Sequence, residues 1–152
     1  MHLRLPAAFA ALALGLALAP AAVADEDPDA SDAETVVEIT GVSIDPQIPS
    51  RVRVDLTYTC APGDGPHSLN TSVEQTDPED PATIAFGSTR TASTLVECDG
   101  AEHSRTAVVQ SKTSNWLTGV DAVVITTLAD LGAAPPASAD ARQLVLDLPS
   151  DD

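Results

Sequence analysis

The strongest constraint on the fold is an alternation of apolar and polar side chains over residues 51–60. Arg, Asp and Thr occupy the odd positions, and every even position carries an apolar or sulfur-containing side chain: Val52, Val54, Leu56, Tyr58 and Cys60. Successive side chains of a β-strand point to opposite faces, so this pattern predicts a half-buried strand whose cysteine is directed into the core.

Shorter patterns of the same kind occur along the rest of the chain. They predict strands at 35–44 (kinked at Gly41), 68–76, 83–86, 91–98, 105–110, 120–128 and 143–148, with Gly, Pro and Asp clusters forming turns between most of them. Residues 120–128 are apolar at nearly every position, which predicts a central strand buried on both faces. Residues 129–141 carry no clear pattern and are predicted to form a surface excursion. Seven or eight short antiparallel strands predict an all-β fold, an Ig-like β-sandwich.

The N-terminal segment is typical of a cleavable secretory signal. Arg4 lies before an uncharged, mostly apolar stretch at 5–20, and the small residues of Ala22-Val23-Ala24 are followed at once by Asp25. A membrane anchor is the competing interpretation, but a spanning helix needs about 20 apolar residues. We therefore predict a signal peptide at 1–24, a secreted, extracellular protein, and no membrane insertion after cleavage.

The chain is strongly acidic. It has 23 Asp and Glu against 7 Lys and Arg, for a net charge of −16. Such a charge repels nucleic acid and anionic membrane surfaces, and it leaves basic partners, cations or simple solubility as its role. Residues 25–34 hold six acids and no large apolar side chain, which predicts a disordered acidic leader. The domain is expected at 35–148, followed by a tail at 149–152.

Cys60 and Cys98 are the only cysteines. An even count in an exported chain predicts a disulfide, whereas a metal pair or a redox thiol is disfavoured by the absence of a C-x-x-C motif. In the chain-entropy model, a bridge closing a loop of this size contributes about 4 kcal/mol to the free energy of unfolding.

Several of these segments together resemble a known group of proteins. The runs around Cys60, at 73–75, at 96–100 with His103, and at 119–128 are similar to small secreted Ig-like β-sandwich domains of actinomycetes, whose function is unknown. The resemblance spans about 35–148 and implies the fold and the disulfide. It implies no catalytic or binding residue.

A disulfide would gather polar residues at one end of the sandwich, and these form the first candidate binding site: Asp64, His67, Asp99, Glu102 and His103. Imidazole and carboxylate groups together could be ligands of Zn²⁺, and carboxylates alone could bind Ca²⁺ weakly. However, Asp99-Gly100 is also an ordinary turn signal, and no spacing here is specific for a metal. No metal ligand and no cofactor is therefore predicted.

Trp116 is the second candidate for binding. It is the only tryptophan of the chain, and an exposed indole would offer a stacking surface for a sugar or a peptide. The alternative is that Trp116 fills one end of a core that is poor in aromatic residues.

No catalytic residue is predicted, because no G-x-S-x-G or other nucleophile motif is present and adjacent His-Ser pairs on a strand point to opposite faces. We expect a monomeric, non-catalytic domain that binds an exported protein or a cell-envelope glycan through its loops. One alternative is a small metal-dependent protein or hydrolase using His67 and His103. Another is an inhibitor of an exported protease that presents the loop at 61–66.

Overall fold

The part of the chain that the structure describes is all-β and consists of seven antiparallel strands in two sheets, which confirms the predicted fold class. A computed structural model describes residues 34–62, 67–92, 95–130 and 136–149. The strands are β1 (Val36–Ile44), β2 (Arg51–Thr59), β3 (His67–Thr76), β4 (Ile84–Thr91), β5 (Glu102–Gln110), β6 (Val120–Asp130) and β7 (Ser138–Leu146). The described residues contain no α-helix.

One sheet has the order β1-β2-β5 and the other the order β4-β3-β6-β7. The arrangement is compatible with an Ig-like sandwich. The predicted signal peptide, nearly all of the acidic leader and the last residues of the tail lie outside the described part of the chain.

The core forms from the inward-facing side chains of both sheets, at the alternate positions that the sequence pattern indicates. The even-numbered residues of β2 are almost completely buried, as are Leu69 and Val73 of β3 and Val124 and Leu128 of β6. Two buried threonines, Thr71 and Thr126, join β3 to β6 with their hydroxyl oxygens 3.0 Å apart. These two residues satisfy each other's polar groups inside the core.

Three sequence predictions about strands need correction. Residues 95–98 form a loop, because β4 extends to Thr91 and the chain then crosses to the other sheet before β5 begins. Of the expected surface excursion at 129–141, residues 129–130 belong to β6 and residues 138–141 belong to β7, whereas residues 131–135 lie outside the described part of the chain. β6 is central in its sheet, but only one of its faces is buried, since Val123 and Ile125 are 45% and 40% exposed.

The predicted kink in the first strand is present as a register shift between Ile39 and Gly41. The edge of β1 is also covered. The N–H groups of Val37 and Ile39 donate to Ser138 Oγ (3.1 Å) and Asp140 Oδ2 (2.8 Å) of β7. Side chains that occupy edge N–H groups in this way hinder pairing with another chain.

The sheets also meet where the end of β5 passes β4. A Cβ atom added to Gly87 would lie 2.5 Å from the Gln110 carbonyl oxygen and 2.8 Å from Val109 Cγ1. Only glycine allows such a close approach of two backbones, so Gly87 fixes how the two sheets join at this edge.

Candidate functional site

The first candidate region is the cysteine pole, which we define as the end of the sandwich formed by Cys60, His67, residues 95–101 and His103. Cys60 directly follows β2 and is fully buried, and it is bonded to Cys98 in the loop before β5. The predicted disulfide is therefore confirmed. In antibody domains the disulfide links the two sheets, whereas here both cysteines adjoin neighbouring strands of the same sheet.

His67 lies against this disulfide. It is the first residue of β3 and is 3% exposed, and its Nδ1 is 3.5 Å from Cys98 Sγ. His67 has the same parity in β3 as the buried residues Leu69 and Thr71, so its side chain points into the core. Because β3 belongs to the opposite sheet, the imidazole meets the disulfide across the end of the core. A buried imidazole and two sulfur atoms thus share one site, in which the three ligand atoms lie within 4.8 Å of one another.

His103 has a different set of partners. Its ring stacks on Tyr58 with 5.5 Å between centroids, and its Nε2 is 2.8 Å from Asp99 Oδ1. Asp99 also accepts the N–H of Ala101 (2.9 Å), which closes the turn at Gly100, a glycine with φ of 84°. The hydrogen bond from His103, together with the one from Ala101, holds the pKa of Asp99 below its usual value.

The predicted polar cluster is therefore divided. Asp99 and His103 are brought together, but His67 is buried with the disulfide. Glu102 is exposed and, as the strand neighbour of His103, points to the opposite face of β5. Asp64 lies outside the described residues.

Trp116 lies at the other end of the molecule, the tryptophan pole, which we define as residues 111–119 with Ser50 and Gln75. The indole is 3% exposed, and its Nε1–H donates to the Ser50 carbonyl oxygen at 3.0 Å. The buried amide of Gln75 secures the same loop, since it donates to the carbonyl oxygens of Leu117 and Val120 and accepts the N–H of Leu117. The ring fills the end of the core and offers no stacking surface to solvent.

Sequence reasoning missed a third region, the outer face of the four-stranded sheet. Of the nine large apolar side chains that are exposed among the described residues, five lie on this face: Ile84, Phe86, Val123, Ile125 and Val145. The sequence of residues 120–128 could have indicated this face. A strand with apolar residues at both odd and even positions presents apolar side chains on both faces of its sheet.

These residues lie on one surface, which we call the apolar face, and the polar outward side chains of β3 separate those of β4 from those of β6 and β7. Glu74 pairs with both Phe86 and Val123, and Ile125 lies between Ser72 and Ala141 in a row without charge. A shallow depression of about 470 Å³ adjoins Val123 and is lined in part by Glu74, Asp121 and Gln143. The apolar face thus has two carboxylates, those of Glu74 and Asp121, beside its apolar residues.

The outer face of the three-stranded sheet differs in composition. It carries five charged residues, Glu38, Arg51, Arg53, Asp55 and Glu102, and only Val36 and Val108 are exposed large apolar residues there. Thr106 Oγ1 donates to Asp55 Oδ1 on this face at 2.6 Å. This face has the ordinary character of a solvated sheet surface.

Comparison with known proteins assigns no family. No family model and no curated protein matches the chain. Among solved structures, a chain of Spo0M, a sporulation control protein from Bacillus subtilis, is similar with a TM-score of 0.34 and 13% identity, over 75% of this chain. This chain spans about half (49%) of the length of that protein. The resemblance to actinomycete domains stays a prediction.

Within the described ranges, none of the chain forms a helix long and apolar enough to cross a bilayer.

Proposed function

We propose that this protein is a secreted, non-catalytic interaction domain that binds another exported protein through its apolar face. The observation that carries the proposal is the concentration of exposed apolar side chains on one sheet surface, centred on Val123 and Ile125. Contiguous exposed apolar surface is uncommon on monomeric soluble proteins and marks sites of protein contact. This surface replaces the loops as the leading contact region, because the indole of Trp116 is buried.

The charges on the face indicate the chemistry of the partner. Glu74 and Asp121 lie beside Val123, in a chain whose net charge is −16. A partner with an apolar centre and Lys or Arg at its rim would match both features, and its charges would steer the encounter. A second copy of the chain is a poorer match, because two strongly acidic surfaces repel each other.

The alternatives have less support. For a hydrolase, Ser104 lies on the face of β5 opposite to His103, and Ser68 is buried and accepts a hydrogen bond from Arg90. For a protease inhibitor, most of the loop at 61–66 lies outside the described residues. A cell-envelope glycan as ligand has no specific feature to support it, since sugars are commonly held by exposed aromatic rings and only Phe86 lies on this face.

The test uses random peptides displayed on phage and panned against the oxidised protein. We expect the recovered peptides to combine apolar residues with Lys or Arg, and their affinity to fall as salt is added, because salt screens the contribution of Glu74 and Asp121. Asp at position 123 would leave a carboxylate in an apolar contact, so V123D should weaken a recovered peptide at least about tenfold.

The matched control is Val108→Asp, which makes the same change at an equally exposed strand position on the other sheet. It should change the affinity less than about twofold. Peptides that bind both variants like the wild type would refute the apolar face as the contact surface. Gel filtration in parallel should give a monomer, and a dimer abolished by V123D would replace the proposed partner by a second copy.

A further inference from the structure

The buried group formed by Cys60, Cys98 and His67 has a geometry close to that of a zinc site. Zn²⁺ binds Cys sulfur at about 2.3 Å and His nitrogen at about 2.0–2.1 Å, so in a tetrahedral site a sulfur and a nitrogen ligand lie about 3.5 Å apart and two sulfur ligands about 3.8 Å apart. The distance from His67 Nδ1 to Cys98 Sγ is already 3.5 Å. Only the two sulfur atoms, which are bonded in the disulfide, are too close together.

The structure around the cysteines allows the required separation. Cys60 is held at the end of β2, where its carbonyl oxygen accepts the N–H of Gly100 at 3.0 Å. Cys98 lies in the irregular loop at 95–98, outside the β-ladders. Separating the two sulfur atoms after reduction therefore moves a loop residue and leaves the paired strands in place.

We propose that reduction of the Cys60–Cys98 disulfide converts this group into a Zn²⁺ site with both thiolates and His67 Nδ1 as ligands. Three protein ligands leave the fourth position to water or to a ligand from outside, as in zinc sites that are open on one side. Cys98 is only partly buried, which gives an ion access to that position. Metal binding at this site would depend on the redox state of the cysteines. The oxidised protein has a disulfide and no thiolate, whereas the reduced protein has two thiolates, which are soft ligands that favour cations such as Zn²⁺.

The conversion takes two steps, reduction of the disulfide and binding of Zn²⁺. A dithiol reductant supplies two electrons and two protons, the S–S bond breaks, two thiols form, and the reductant leaves as its own disulfide. Zn²⁺ then displaces one proton from each thiol and accepts the lone pair of the neutral imidazole, so two protons are released for each ion bound. Reoxidation reverses both steps and expels the ion.

The inference does not depend on the proposed contact at the apolar face, and its test uses Zn²⁺ alone. The full-length protein is reduced with a phosphine, freed of reductant without air, and titrated with Zn²⁺ beside an oxidised sample. We expect one ion per reduced chain, release of two protons, and at least about a hundredfold weaker binding by the oxidised protein. X-ray absorption of the loaded protein should give two sulfur ligands at about 2.3 Å and nitrogen at about 2.0–2.1 Å.

His67→Gln tests the third ligand, with His103→Gln as the matched control. We expect H67Q to weaken Zn²⁺ binding at least about tenfold and H103Q to leave it within about twofold. If the buried H67Q variant does not fold, the sulfur and nitrogen distances in the wild type decide the question. Equal binding by oxidised and reduced protein, a shell of oxygen ligands only, or a loss of binding in H103Q would overturn the proposal.

Discussion

The two ends of the sandwich are closed by different means. At the cysteine pole a covalent bond ties β2 to the loop before β5, and an exposed His103–Asp99 pair completes the turn. At the tryptophan pole the chain is held by burial of one large ring and by the amide of Gln75. The first end therefore depends on redox state and pH, whereas the second depends on packing. Three predictions test this difference, in order of expected size.

The largest effect is expected at the tryptophan pole. Trp116→Ala removes a large, buried aromatic side chain from that end of the core, and such truncations lower the free energy of unfolding by about 3–5 kcal/mol. Phe86→Ala is the control, because Phe86 lies on the apolar face, is 38% exposed, and leaves no internal cavity. It should cost less than about 1 kcal/mol. Denaturant unfolding measures both, and equal losses would contradict the assignment of Trp116 to the core.

The second effect is expected at the cysteine pole. Cys60→Ala with Cys98→Ala opens a loop whose ends are 38 residues apart, and the chain-entropy model predicts a loss of about 4 kcal/mol, within a usual range of 2–5 kcal/mol.

A reductant separates the two ends in the same experiment. It should lower the melting temperature of the wild type and of Trp116→Ala, and it should leave the double alanine variant unchanged. Hydrogen exchange should show residues 95–101 opening in the double variant, while residues 111–119 stay as protected as in the wild type. Opening of both ends together would show that the poles are one cooperative unit.

The smallest effect concerns pH. The hydrogen bond from His103 lowers the pKa of Asp99 from its ordinary value of 3.8, so this carboxylate stabilises the fold when it is ionised. The contribution is fully present above about pH 3.8 and is lost as the pH falls through the lower pKa of the folded protein. Asp99→Asn should therefore destabilise the protein at pH 6 and match the wild type in strong acid.

Glu102→Gln is the control for this variant, since it removes one negative charge from an exposed position three residues away. Because its side chain makes neither of the hydrogen bonds that Asp99 accepts, it measures the effect of losing one negative charge alone. Thermal melts between pH 2 and 7 measure the difference, and parallel curves for the two variants would mean that the His103 contact contributes nothing in solution.

Much of the architecture was predictable from local pattern. The alternation at 51–60 gives β2 and its buried face, the kink at Gly41 appears as a register shift, and the cysteine count gives the disulfide. The predicted strand at 91–98 was wrong, because a stretch of β-prone residues does not reveal where the chain must leave one sheet for the other. That crossing depends on which strands pair in each sheet, and β4 and β5 belong to different sheets.

The candidate site was predictable only in part. Asp99 and His103 are four residues apart on either side of a turn, so their contact is local, and the sequence brings them together. His67 and Cys98 are 31 residues apart in sequence, and they meet only because β3 packs in the opposite sheet. No local motif predicts that contact. The apolar face exists because the other sheet covers only one side of β6. Only the three-dimensional structure shows that the other side is exposed to solvent.

By itself, the sequence determined the class of the domain, its acidity, its central strand and its disulfide. These follow from side-chain period, composition and cysteine count, which are properties of neighbouring residues or of the chain as a whole. Only the tertiary structure decided that His67 lies beside the sulfur atoms, that Trp116 is buried, and that Val123 and Ile125 face solvent. The physical reason is that burial and ligand geometry depend on strands far apart in sequence, and period alone does not say which strands will be neighbours.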